Sequence, residues 1–148
     1  MIIDTLQTLF SRDLDKLQSE IELYKNEAKL WYFEKSIANS GGNLCLHLIG
    51  NLTTYIGVGI GKMNYTRQRD LEFSLKDIPR AELIKKIEET KIIVKNSLNN
   101  LSGNQMEDDF PMMIWEKPMS VEYALLHLAT HLNYHLGQIN YHRRLLDV

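Results

Sequence analysis

Apolar residues near the N-terminus recur with heptad spacing, and this pattern constrains the fold more than any other. The stripe is typical of a long helix that packs one face into a helical bundle. The end of this helix is not sharply marked, and we expect residues 30–33 to belong already to the connection that follows. Its main row is Phe10, Leu17, Tyr24 and Trp31, and the adjacent row is Leu14, Ile21 and Ala28.

A second helical segment is predicted over about residues 41–62, where Asn39 and Ser40 are candidate N-caps. Glycines weaken the helix propensity of this segment, so we expect them to permit close approach of a neighbouring helix. The glycines are Gly50, Gly57, Gly59 and Gly61, and the apolar row is Leu44, Leu48, Leu52 and Tyr55.

Two more helices are predicted in the C-terminal half. Asp77, placed before Pro79, is expected to cap the third helix, and Ser120 to open the fourth, which runs to about residue 146. Their apolar faces comprise Leu83, Ile87, Val94, Leu98 and Leu101 in the third, and Leu125, Leu128, Leu132, Ile139 and Leu145 in the fourth.

These segments predict an all-α protein, a four-helix bundle forming one domain over residues 1–148. No strand-like alternation or internal repeat competes with the helical pattern. The connections 63–77 and 102–119 are long enough to cross an end of the bundle. The second connection carries Trp115 and is expected to cover one mouth of the bundle.

Composition limits the class of partner. Charged residues make up 24% of the chain, the formal net charge is −2, and basic residues are dispersed, so we expect no nucleic-acid partner. The lone Cys45 excludes an internal disulfide and fits a reducing cytoplasm. We expect no secretory signal, because the N-terminus lacks a basic region and a long apolar run. Nor do we expect a membrane partner, because residues 44–60 are too polar and short to span one.

The fourth helix carries a row of histidines that predicts a metal site. His131 and His135 lie four residues apart, so both imidazoles can reach one ion. His127, Gln138 and His142 share this face, and spacing alone allows either the 127/131 or the 131/135 pair. The alternative is a row of partly buried, hydrogen-bonded histidines or an exposed polar stripe.

A third histidine, His47, lies in the second helical segment. Asn43 and Asn51 stand four residues to either side of it, so all three share a helix face. The amides are candidates to orient the ring or to touch a substrate. His47 itself is either a ligand or a hydrogen-bonded core residue.

Other metal and nucleophile designs are excluded by missing motifs. Glu-x-x-His and His-Glu-x-x-His are absent, which removes the carboxylate-bridged di-iron bundle and the zinc-protease helix. Cys45 would face away from His47 on a helix, so a Cys-His nucleophile is not expected. Three histidines without a fourth protein ligand would describe a catalytic metal site.

A run of charges follows the second helical segment: Arg67, Arg69, Asp70 and Glu72. Such a run is usually a solvated loop, and this is the expectation here. The alternative is a binding site for an anionic group of a substrate.

Two stretches resemble the DinB-like family: Asn43-Leu44-Cys45-Leu46-His47-Leu48-Ile49-Gly50-Asn51-Leu52 and His131-Leu132-Asn133-Tyr134-His135-Leu136-Gly137-Gln138-Ile139. The run 67–73 is similar to a loop in one branch of that family, and length and helix order agree over essentially the whole chain. The likeness departs at Leu136, where many members carry Arg.

The resemblance implies an up-down-down-up bundle with a long crossover, often a homodimer. It also implies a divalent metal, nickel or zinc for example, held by His47, His131 and His135. It therefore selects the 131/135 pair, which spacing left open. Some members join low-molecular-weight thiols to electrophiles, and others act as thiol-dependent isomerases.

The leading functional hypothesis is a metal-dependent transferase of a small thiol in the cytoplasm. Asn51, Tyr134 and Gln138 are candidates to orient the substrate, whereas no catalytic residue is assigned. The alternatives are a metal-dependent hydrolase and a non-catalytic module in which the metal stabilises binding or dimerisation.

Overall fold

The computed structural model describes residues 1–148 and contains helices but no β-strand, which confirms the all-α prediction. The α-helices are α1 (Ile2–Leu23), α2 (Gly41–Leu52), α3 (Arg69–Ser74), α4 (Arg80–Asn99) and α5 (Val121–Leu146). Short 3₁₀ helices cover Glu27–Trp31 and Gly103–Gln105, and a π-helix covers Thr53–Val58. None of the helices combines the length and the hydropathy that a membrane span requires.

The first helix ends earlier than its apolar stripe predicts. It ends at Leu23, because the carboxylate of Asp147 accepts hydrogen bonds from the backbone N–H groups of Lys25 and Asn26. The side chain of Asn26 then accepts from the Ala28 N–H and opens the 3₁₀ helix. The helix is therefore shorter than its apolar stripe, and residues 30–33 lie in the connection, as predicted.

The second helical segment is confirmed, with a change of helix type inside it. Ser40 caps α2 by accepting a hydrogen bond from the Asn43 N–H. After Leu52 the backbone continues as the π-helix, an arrangement that is often found at functional sites. The predicted close approach is present, since a Cβ at Gly57 would lie 2.8 Å from Ile93 of α4.

The start of α5 is confirmed and that of α4 is not. The Ser120 hydroxyl accepts from the Tyr123 N–H, as expected of an N-cap. Asp77 does not cap α4, because it adopts a left-handed φ of 59° and the helix begins after Pro79. The predicted connection 63–77 contains the six-residue helix α3, which the apolar pattern did not indicate.

One contiguous hydrophobic core holds the long helices together. α1 packs against α4 and α5, while α2 packs against α3, α4 and α5. The predicted apolar rows supply most of this core, including Phe10, Leu17, Leu48 and Leu132. Because α2 and α5 are in direct contact, their polar positions face each other, and the histidines meet at that seam.

Candidate metal centre

Three histidines from α2 and α5 converge on one point. The Nε2 atom of His131 lies 3.3 Å from that of His47 and 3.1 Å from that of His135. The three side chains offer ligand atoms that all lie within 4.8 Å of one another. His47 is buried and the other two are half-buried. The structure therefore brings together the predicted set 47/131/135.

Hydrogen bonds on the far side of two rings define where their protons lie. His47 Nδ1 is 3.1 Å from Glu72 Oε1, and His135 Nδ1 is 2.7 Å from Gln138 Oε1. Both oxygens accept, so each Nδ1 carries the hydrogen and each Nε2 keeps its lone pair. Lone pairs that point at a common position are what a cation requires of imidazole ligands.

The spacing of the nitrogens fits a single ion. Nitrogens bound at about 2.0–2.1 Å to a tetrahedral zinc ion are about 3.3 Å from each other. The observed separations of 3.3 Å and 3.1 Å are close to that value. Hydrogen bonding alone satisfies the cluster poorly, because His131 Nε2 can make only one good bond with its two neighbours.

A buried ion pair supports His47 from behind. Arg67 donates from Nε to Glu72 Oε2 at 2.8 Å and from Nη2 to Glu72 Oε1 at 2.9 Å. Burial raises the Glu72 pKa, but hydrogen bonds from His47 and Arg67 outweigh it, so the pKa is lowered overall. This carboxylate therefore stays ionised and orients the His47 ring, an arrangement common behind metal-bound histidines.

The prediction that this charged run forms a solvated loop is therefore wrong for two of its four residues, Arg67 and Glu72. Arg69 and Asp70 are exposed as expected, but Glu72 is only 6% exposed and the side chain of Arg67 only 13%. Burial is possible because the two charges pair with each other and with His47. Since Arg67 is engaged by Glu72, its guanidinium is not a free anion-binding group.

Two residues of α2 make room for Glu72 and hold it. A Cβ at Gly50 would overlap the Glu72 carboxylate and lie 2.6 Å from Glu72 Cδ. The Asn43 side-chain amide donates to the backbone carbonyls of Glu72 at 2.9 Å and Leu75 at 2.8 Å. Asn43 therefore positions the backbone that carries Glu72 and has no hydrogen bond with His47.

The other predicted supporting residues differ in their contacts. Gln138 is predicted to orient the substrate, and in the structure it contacts His135 Nδ1 and so orients that ring. Tyr134 is 65% exposed, and its ring centroid lies 5.3 Å from that of His135. Asn51 is buried, and neither its Oδ1 nor His131 Nδ1 has a hydrogen-bond partner. Of the three ligand candidates, His131 is therefore the one whose Nδ1 atom has no hydrogen bond.

The remaining histidines lie outside the cluster. His127 packs against Trp115 of the 102–119 connection, with ring centroids 4.1 Å apart. His142 Nδ1 is 2.7 Å from the Tyr24 hydroxyl, and its Nε2 is 2.9 Å from the Tyr32 carbonyl oxygen. Cys45 is fully buried, and burial raises its pKa to about 12, so it is no nucleophile.

Two of the three histidines of the cluster, His131 and His135, have lowered pKa values and so resist protonation. Burial, followed by the neighbouring charges of His135, His47, His127 and Arg67, lowers the pKa of His131 to about 3. Burial also lowers the pKa of His135, against the opposing effect of Gln138. Neutral imidazole is the form that binds a metal, so His131 and His135 are ready to bind one at neutral pH.

Sequence reasoning did not predict that Glu72 and Arg67 support His47, and it placed no carboxylate near the ligands. Glu72 lies 25 residues from His47 along the chain. The available signal was a glycine one helical turn after His47, which leaves space for another side chain. That signal indicates a neighbour but does not identify it.

Comparison with known proteins gives a family without an activity. Residues 3–147 match the family model described as "Protein of unknown function (DUF1572)". No curated protein matches the chain. The family description does not mention the DinB-like proteins. Because the match covers nearly the whole sequence, the chain belongs to the DUF1572 family.

Proposed function

We propose that the protein is a divalent-metal-dependent enzyme of the DinB-like type, which transfers a low-molecular-weight thiol to an electrophile. The observation that carries this proposal is the convergence of three imidazole Nε2 atoms, two of them on rings held from behind by Glu72 and Gln138. Three protein ligands are the number found in catalytic zinc sites, whereas structural sites have four.

In this proposal His47, His131 and His135 hold nickel or zinc. Such a cation would retain its charge among neutral ligands and lower the pKa of a bound thiol, which makes the thiolate available for attack. The new bond joins sulfur to the electrophilic carbon, the leaving group departs with its electron pair, and the thiol proton passes to solvent. Tyr134 and Asn51 are proposed to contact the substrate.

Transfer is preferred to hydrolysis because no carboxylate is free to act as a base. Glu72 is the acidic group beside the cluster, and hydrogen bonds from His47 and Arg67 occupy both of its oxygens. Its lowered pKa also makes it a weak base. A non-catalytic, metal-stabilised module would be favoured by a fourth protein ligand, and the cluster contains three.

Further parts of the proposal concern the whole molecule. We propose that the helices form the up-down-down-up bundle of the DinB-like family within one domain over residues 1–148. The single contiguous core supports this. We also propose a cytoplasmic homodimer that acts on small molecules. The ordinary charge balance, with a net charge of −2, supports small molecules over nucleic acid as partners.

The test uses one electrophile that can react in both ways. p-Nitrophenyl chloroacetate is incubated with metal-loaded protein, with and without N-acetylcysteamine, and mass spectrometry identifies the products. We expect thiol-dependent formation of the thioether above the uncatalysed rate, with loss of this activity in His131→Ala/His135→Ala. Ester hydrolysis at an equal rate without thiol would support the hydrolase instead. No acceleration of either reaction by metal-loaded protein would contradict the proposed activity on this electrophile class.

A further inference from the structure

A cleft of about 390 Å³ lies along the seam between α2 and α5, beside the candidate metal centre. α2 contributes Leu44, three residues before His47, and α5 contributes Gln138, three residues after His135. Segment 36–39 also lines the cleft. Gln138 belongs both to this cleft and to the hydrogen bond that orients His135, so the cleft adjoins the Nδ1 side of the His135 ring. We call it the Gln138 cleft.

The lining of the Gln138 cleft contains no Lys, Arg, Asp or Glu. Its one ionisable imidazole, His142, uses both ring nitrogens in contacts with Tyr24 and Tyr32. The guanidinium of Arg144 packs over the outer lining residue Tyr141, 5.3 Å from the ring centroid, and is not part of the lining. A charged group in the cleft would therefore gain no opposite charge from the lining, whereas a neutral group needs none.

The cleft does offer neutral hydrogen-bonding groups and apolar surface. The side chains of Ser36, Asn39 and Tyr141 line it and are not engaged in the hydrogen bonds of the fold. Gln138 uses its oxygen for His135, which leaves its amide N–H groups available to a ligand carbonyl. Ile37, Ala38, Leu44 and Leu145 supply the apolar part.

We propose that the Gln138 cleft binds the uncharged end of the substrate, a small amide or alcohol that carries a short alkyl group. The inference rests on the proposed function, since the ligand is taken to be the substrate of that reaction. The volume is at the lower end of the range for small-ligand sites, about 300–1,000 Å³. Discrimination against a carboxylate at this position is the central expectation.

The test uses two probes that differ by one charged group, N-ethylacetamide and N-acetylglycinate. Each is titrated into protein as purified, and NMR spectra follow the methyl groups of Ile37, Ala38, Leu44 and Leu145. We expect these methyls to shift with N-ethylacetamide and its Kd to be at least about tenfold lower, a difference of about 1.4 kcal/mol. Equal or tighter binding of N-acetylglycinate, or no shift with either probe, would overturn the inference.

Matched variants locate the binding. Ala38→Phe fills the cleft from an exposed position, and Ala81→Phe places the same ring at an exposed position of α4. We expect the first variant to remove N-ethylacetamide binding and the second to retain it, whereas equal binding to both would overturn the inference. The probes need no metal, so a protein that binds N-ethylacetamide but no metal would refute the proposed function alone.

Discussion

Glu72 reaches across from α3 and places Oε1 3.1 Å from Nδ1 of His47, in a pair that is almost completely buried. The contact links a helix of six residues to the candidate metal centre. It also explains why a charged side chain is buried here, since Glu72 receives hydrogen bonds from both His47 and Arg67. The predictions below begin from this pair.

Glu72→Gln should weaken metal binding without unfolding the protein. The amide keeps the size of the side chain but removes the negative charge that holds the His47 ring, and loss of such a partner typically reduces metal affinity by about 10–100-fold. Titration with zinc against a competing chelator measures the change. Asp70→Asn is the matched control, because Asp70 is exposed on the same helix. Equal affinities for the two variants would contradict a role for Glu72.

Gly50→Ala should weaken metal binding by about tenfold, by a steric route. The new methyl group would overlap the Glu72 carboxylate, which must move away from His47. Gly137→Ala is the control, since a Cβ at that helical position meets nothing within 4 Å. We expect the control to keep its metal affinity and to gain about 0.5–1 kcal/mol of stability. A Gly50→Ala variant with wild-type affinity would show that Glu72 need not approach so closely.

These contacts show where local sequence patterns are sufficient and where they fail. The caps at Ser40 and Ser120 depend on residues three positions away, so the sequence identifies them directly. The end of α1 depends on Asp147 at the other end of the chain, and the orientation of His47 depends on Glu72. Long-range contacts of this kind leave no periodic signal, and a helix as short as α3 carries too little pattern to stand out.

Long-range packing also decides which histidines form the cluster, and local spacing does not show this. Spacing on α5 allowed the pairs 127/131 and 131/135, because both lie one helical turn apart. Only the packing of α2 against α5 brings His47 to the second pair and leaves His127 against Trp115. The choice therefore required either a family resemblance or a structure.

His127→Ala should leave metal binding unchanged, because His127 lies outside the cluster. We expect the metal content and affinity of wild type, with some loss of thermal stability from the missing Trp115 contact. His131→Ala is the contrasting variant and should lose the metal. Elemental analysis of both proteins checks the prediction, and metal loss in His127→Ala would favour the 127/131 pair.

Acid should destabilise the metal-free protein between about pH 6.5 and pH 3. His131 has a pKa of about 3 when folded and an ordinary value of 6.5, so the unfolded chain binds the proton more strongly in this range. Above pH 6.5 this effect does not reduce the free energy of unfolding. The free energy then decreases as the pH falls from 6.5 towards about 3. Burial lowers the pKa values of His127, His135 and His142, which act in the same direction.

Urea unfolding of chelator-treated protein at several pH values measures this slope. His131→Gln cannot bind the extra proton in its unfolded state, so we expect its stability to fall less steeply with acid than that of wild type. Identical slopes for the two proteins would show that His131 is not held neutral in the folded state.

The central claim is that His47, His131 and His135 bind one divalent metal ion. Elemental analysis of protein purified without a histidine tag tests it most directly, compared with the His131→Ala/His135→Ala variant whose helical circular dichroism has been verified. We expect about one ion per wild-type chain, as for a mononuclear three-histidine site, and almost none in the variant. Equal metal content in the two proteins, or no metal in wild type even after incubation with zinc or nickel, would contradict the claim.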